Sequence, residues 1–171
     1  MIDASKPIFP NNVVQAIADY APTLDEEVNV FTRPLQVTDP HVSLGVFASF
    51  WQPDSDSYEM RGYPVGGGTL GSAPRVPTLQ RYLISVQAMV QSMDKVEGLN
   101  KHSVFAKMVR DMLLVNPVLG VALTQLSVDE GGLTERTQRR WVQTQRYASN
   151  ELSGGWVFLA TMEFMIETET T

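Results

Sequence analysis

The strictest constraint in the chain is the run "GGWVFLATMEFMIETE", where Trp156, Phe158, Ala160, Met162, Phe164 and Ile166 recur at every second position. Only an extended strand brings residues two apart onto one face; a helix would scatter them around its axis. The alternate set, Val157, Leu159, Thr161, Glu163, Met165 and Glu167, is mixed. One side of this strand, with Trp156 among its core residues, is therefore expected to be covered and the other to be partly wet. The turn-forming "NELSGG" precedes it, so the residues before that turn make the other arm of a long C-terminal hairpin.

The same reasoning finds more strands. "PTLQRYLISVQAMVQSM" places Tyr82, Ile84, Val86, Ala88 and Val90 against Arg81, Leu83, Ser85, Gln87 and Met89. Val42 to Trp51 sets Leu44, Val46, Ala48 and Phe50 opposite Phe47, Ser49 and Trp51, with apolar character on both sides. Val28 to Thr32 is a short strand that Pro34 and Pro40 restrict to an edge or a loop. Helical spacing occurs at Val13, Val14, Ile17, Tyr20 and Ala21, with Asn11 or Asn12 as cap and Pro22 as stop. It occurs again from about Asn100 to Leu114, after a break at Gly98, where Val104, Phe105, Met108, Val109, Met112 and Leu113 form an apolar stripe. Lys101, Lys107, Arg110 and Asp111 take the wet side of that helix. Pro117 stops it, a strand at about Val121 to Val128 follows, and "DEGG" turns the chain. The expected fold is a single α+β domain spanning residues 1–171. Its mixed or antiparallel sheet carries helices packed on one face and ends in a long C-terminal β-hairpin. Residues 52–77, rich in Gly and Pro and without periodicity, are expected to be a flexible loop, or a segment that orders on a neighbouring subunit.

"TERTQRRWVQTQRY", Thr134 to Tyr147, concentrates four arginines in a chain of net charge −6. As a strand it shows Arg136, Gln138, Arg140, Val142, Thr144 and Arg146 on one side and Thr137, Arg139, Trp141, Gln143, Gln145 and Tyr147 on the other. Neither side is apolar enough for a core face, so its outer half is expected to project from the domain or to lie in a polar contact. Three readings fit. Arg, Trp, Tyr and Gln suit a protein interface; the arginines could instead pair across the hairpin with Glu163, Glu167 and Glu169; or the aromatics could stack single-stranded bases. The acidic balance weighs against phosphate binding. The candidate interface is therefore Arg136, Arg139, Arg140, Trp141, Gln143, Gln145, Arg146 and Tyr147, with Glu163 and Glu167.

Reaction chemistry is hard to find. There is no cysteine, which removes disulfides, thiolate metal sites and a thiol nucleophile. His41 and His102 stand in no recognisable pairing with a nucleophile. "GGGTLG" at Gly66 to Gly71 lacks the Lys and Ser or Thr that close a phosphate loop. "DSDSYE" at Asp54 to Glu59 lacks the glycine of a calcium loop. The expectation is a protein that is not an enzyme and uses no cofactor or metal. The start "MIDASKPIFP" shows no secretory signal and no run reaches membrane-span length, so a soluble protein held in a cytoplasm until it joins a larger assembly is expected.

The order of segments adds a resemblance. A short N-terminal helix, "VFTRPLQVTDPH", a long loop, "PTLQRYLISVQ", the helix "KHSVFAKMVRDML", and a hairpin of "ERTQRRWVQTQRYASNE" and "GGWVFLATMEFMIETE" together resemble the tail terminator proteins of long-tailed bacteriophages. The likeness runs from about Val28 to Thr168, apart from the glycine-rich loop, and rests on segment patterns rather than catalytic signatures. It implies a sheet with helices on one face and assembly into a six-fold ring in the virion. That ring would cap the head-proximal end of the tail tube, stop its polymerisation, and offer a surface to the head connector while DNA passes through the lumen. Alternatives are another head-tail junction ring protein, a tail tube subunit, or a small-ligand binding domain with Trp51, Tyr58 and Trp156 around a pocket.

Overall fold

The computed structural model describes residues 1–3, 8–53, 78–130 and 132–171. The expected loop, with its acidic and glycine-rich motifs and Tyr58, lies almost wholly outside the described residues, as does the Trp51 side chain. Helix α1 (Phe9–Tyr20) runs through a 3-10 turn (Ala21–Thr23) toward strand β1 (Asn29–Phe31). Strands β2 (Val42–Pro53) and β3 (Thr78–Ser92), helices α2 (Lys95–Leu114) and α3 (Pro117–Gln125), and strands β4 (Ser127–Glu130), β5 (Leu133–Leu152) and β6 (Gly155–Thr170) complete the α+β fold.

The sheet order is β1-β2-β3-β6-β5-β4, with β1 and β2 parallel and every other neighbour antiparallel. The alternation in β6 decides this layout. Trp156 pairs with Ser92 at one end and Thr170 with Thr78 at the other, so β6 is bonded to β3 along nearly its whole length. Its other edge carries β5 over the same span. Phe158, Ala160, Met162, Phe164 and Ile166 join Tyr82, Ile84, Val86, Ala88 and Val90 of β3 on one buried face. All three helices pack on that face: Phe9, Val13 and Ile17 of α1, Phe105, Val109 and Met112 of α2, and Leu119 and Leu123 of α3 enter the same core.

The structure corrects several expectations. Helix α1 begins at Phe9, with Pro10 in its first turn and Ile8 as cap, so Asn11 and Asn12 lie inside it; proline suits a turn whose N–H groups have no helical partner. Helix α2 starts before Gly98, at an Asp94 cap whose carboxylate accepts from the Glu97 N–H at 2.8 Å. Gly98 does not break it, because the missing side chain admits the sheet: a Cβ there would stand 2.7 Å from both the Phe158 ring and Ser92 Cβ. Val104 faces outward rather than into the stripe. Pro117 opens helix α3 instead of merely ending α2, since the Asn116 side chain accepts from the Val118 and Leu119 N–H groups. The strand expected from Val121 shrinks to β4. In β2 a bulge between Ala48 and Phe50 interrupts the alternation, and Ala48 and Ser49 are exposed. Trp156 is half-buried at the sheet's end, with Lys95 Nζ 4.4 Å from its ring, and is not a core residue.

Two stability tests follow from this packing. Phe164→Ala, at a fully buried site, should cost about 3–5 kcal/mol in denaturant unfolding, and Trp156→Ala clearly less. Gly98→Ala should destabilise by about 1–2 kcal/mol, because the clash outweighs the better helix propensity; a neutral result would mean that α2 does not press on Phe158.

Candidate functional site

Strand β5 holds eight of the ten candidate residues, and its position in the sheet gives them their setting. Strand β4 covers it only from Leu133 to Arg136. From Thr137 to Leu152 its outer edge has no strand beside it among the described residues. The hairpin does not project as a two-stranded arm, because β3 backs β6 out to Trp156. What it offers instead is a bare sheet edge, roughly 50 Å long at the ordinary rise of a strand.

Two irregularities, between Thr137 and Arg139 and between Val142 and Thr144, redistribute the side chains. Each inserted residue shifts the alternation by one. The faces are therefore not those of a regular strand. Arg136, Arg139, Trp141, Thr144 and Arg146 share the face away from the helices, opposite Glu169, Glu167, Met165, Glu163 and Thr161. Arg140, Val142, Gln145 and Tyr147 share the helix face, opposite Ile166, Phe164, Met162 and Ala160. Gln138 and Gln143 occupy the inserted positions.

On the face away from the helices, Glu167 is the hub. Its buried carboxylate accepts from Arg81 Nε and from Arg139 Nε, each at 2.9 Å. The Arg139 guanidinium also lies 4.9 Å from the centre of the Trp141 ring. Burial pushes the Glu167 carboxyl up, but the hydrogen bonds from Arg81 and Arg139 outweigh it and hold it below its ordinary value. Arg146 reaches Glu163 only at 3.8 Å. Glu169 accepts from Gln138 and not from Arg136, its partner in register.

On the helix face Arg140 lies across α3. Its Nη1 donates to Thr124 Oγ1 at 3.5 Å, and its Nη2 would stand 2.8 Å from a Cβ on Gly120. Tyr147 meets His102 edge-on at 6.4 Å and donates to Gln145 at 3.0 Å. His102 stacks on Phe158 and donates from Nε2 to the Ala88 carbonyl at 3.1 Å; burial lowers its pKa more than that bond raises it.

Arg139, Trp141 and Glu167 thus come together, and Arg146 approaches Glu163, whereas Arg136, Arg140 and Gln143 reach no carboxylate in the described residues. Sequence reasoning missed Arg81, whose partnership with Glu167 is a matter of strand register. It also missed an exposed apolar surface on α3, which the Asn116-Pro117 start signal could have revealed. A third unforeseen feature is an open groove of about 760 Å³ between Asp25–Val28 and α2, floored by Val42, Phe105 and Met108. Among the described residues no group of three His, Asp or Glu is arranged to hold a metal. No helix among them is long and apolar enough to cross a membrane.

No family model matches the chain, and no curated protein does. One solved structure, whose name describes no function, aligns over 94% of this chain and 95% of its own at 12% identity, with a TM-score of 0.35. That likeness is too slight to support an argument.

Two perturbed groups, His102 and Glu167, make stability depend on pH in a definite sense. His102 is lowered from 6.5, so as pH falls below that value the unfolded chain takes up the proton first and stability declines. The lowered Glu167 contributes in full above its ordinary 4.5, and its contribution is lost as pH falls through the lower folded-state value. Denaturant midpoints should therefore drop in two stages on acidification. Glu167→Gln should shrink the second stage, to which Asp39, lowered by its hydrogen bonds from Arg33, also contributes, and should cost about 1–3 kcal/mol at neutral pH, toward the lower end because solvent reaches Arg139. An unaltered acid limb in this variant would count against the hub.

Proposed function

We propose that this chain is a structural ring subunit of a long-tailed phage virion, a tail terminator that caps the head-proximal end of the tail tube and presents a surface to the head connector. The observation that carries the reading is the outer edge of β5, which from Thr137 onward has no strand beside it among the described residues, with Arg136 and Arg140 reaching no carboxylate there and Arg146 reaching Glu163 only at 3.8 Å. Two irregularities and the arginines guard this edge against strand addition, so contact with neighbouring subunits falls to its side chains. The segment resemblance supplies the tail terminator assignment, and the α+β fold with helices on one face agrees with what that resemblance implies.

The proposed role requires positioning rather than reaction chemistry, so the chain is proposed not to be an enzyme. His102 is already committed to packing and to a backbone carbonyl. The arginines are proposed to meet carboxylates of protein neighbours, since a chain of net charge −6 is poorly suited to gripping phosphates while DNA passes through a lumen. A small-ligand binding domain is the second reading, because the groove beside α2 is large and largely apolar. Trp156 does not line that groove.

Light scattering over a concentration series, followed by negative-stain imaging with and without tail tubes, tests the assignment. Six-membered closed rings, or monomers that add one ring to each tube end, are expected. Indefinite tubes would make the chain a tube subunit, and a monomer indifferent to tubes but stabilised by a small ligand would favour the second reading. Arg136→Glu combined with Arg146→Glu should abolish ring formation or tube capping while changing folding stability by no more than about 0.5 kcal/mol, as exposed positions allow.

A further inference from the structure

Resting on the ring reading, we infer that the subunits join head to tail: the outer face of α3 with the β5 edge of one copy seats in the acidic-rimmed groove beside α2 of the next. The first surface is apolar and flanked by one positive charge, Arg140. On and just before α3, Val115 is 72%, Val118 64% and Val121 54% exposed. Val115, Val121 and Arg140 border a common hollow, so the aliphatic patch and Arg140 form one continuous surface.

The second surface is its complement. Val96 and Val104, 68% and 61% exposed, line the groove together with buried Val28 and Phe105. Its borders carry Asp25, Glu27, Asp94 and Glu97 against one cation, Lys101, which Glu27 already engages at 2.6 Å. The groove is apolar in its floor and negative at its rim, whereas the α3 surface is apolar in its centre and positive at its border.

The two surfaces also lie at opposite margins of the sheet. Helix α3 packs on β5, next to the β4 edge, while the groove abuts the stretch leading into β1, the other edge strand. A contact between opposite margins repeats from copy to copy, and it closes if the rotation does. A self-matched two-fold contact is disfavoured, because it would set Arg140 against Arg140 or carboxylates against carboxylates. Direct strand-to-strand addition along β5 is disfavoured too, since arginines and bulges on an edge are devices that prevent it.

The absence of cysteine from the chain allows a clean test. Val121→Cys and Val104→Cys are made separately and together in the full chain, oxidised at assembling concentration in the presence and absence of tail tubes, and resolved by intact mass. Mixing the two single variants should give crosslinked dimers, the double variant should give a ladder ending at the ring, and neither single variant should crosslink with itself. Val121→Cys linking to itself would overturn the inference in favour of a two-fold contact. Rings or capped tubes without the mixed crosslink would overturn it while leaving the ring reading intact. A chain that never associates would overturn both. Arg140→Glu should lower the mixed crosslink yield by at least about tenfold, and adding Asp25→Lys with Glu97→Lys on the partner copy should restore it, as complementary charge pairs do. Failure of that restoration, with folding unchanged by circular dichroism, would remove the charge argument on which the inference stands.

Discussion

Strand β6 is the constraint on which the rest of the molecule depends. It is bonded to β3 on one side and β5 on the other, and its alternate residues supply much of the surface that the helices cover. Because side chains in a strand alternate with period two, a slip of one residue would carry Phe158, Met162 and Phe164 to the wrong face. The register is therefore held by burial, and what it holds includes Glu167 between Arg81 and Arg139. An ion cluster on one face is thus positioned by apolar packing on the other.

The central place of β6 also explains why β5 is the unusual strand. Beyond Arg136, β5 has a neighbouring strand on one side only among the described residues, so it can tolerate inserted residues that a strand paired on both sides would transmit to two neighbours. Its two irregularities separate functions that a regular strand would mix. Arg139 and Trp141 turn to the face away from the helices and close over Glu167 and Met165, while Arg140 and Tyr147 turn to the helix face and meet α3 and His102.

Most of the fold was legible where periodicity was long. The alternation of β3 and β6 follows from spacing, and proline narrowed β1 to an edge or a loop, of which the sheet takes the edge. Legibility failed where one residue type has two uses. Gly98 breaks a helix in isolation but here lets α2 approach Phe158, a tertiary reason that only the packed sheet supplies. Pro117 ends one helix and opens the next because Asn116 caps it, and the Asn-Pro pair was readable had the starting role been weighed beside the stopping one. In the candidate site, the composition of β5 showed that neither side reads as a core face, but the bulges that sort its residues into two faces leave no mark in the sequence. Neither does the register that brings Arg81, more than eighty residues away, onto Glu167.

These features bear on how a proposed ring could stop at one layer. A subunit whose bare edge invited another strand would add copies through backbone hydrogen bonds, which are nearly indifferent to side chains and have no reason to end. An edge interrupted twice and lined with arginines discourages that route. Association then falls to side-chain surfaces, which discriminate by shape and charge. With an apolar, positively bordered surface at one margin of the sheet and an apolar, negatively rimmed one at the other, each copy in such a contact uses both. Closure by rotation would leave neither surface free, so the contact that builds the ring would also limit its membership, and layers could stack only through other faces.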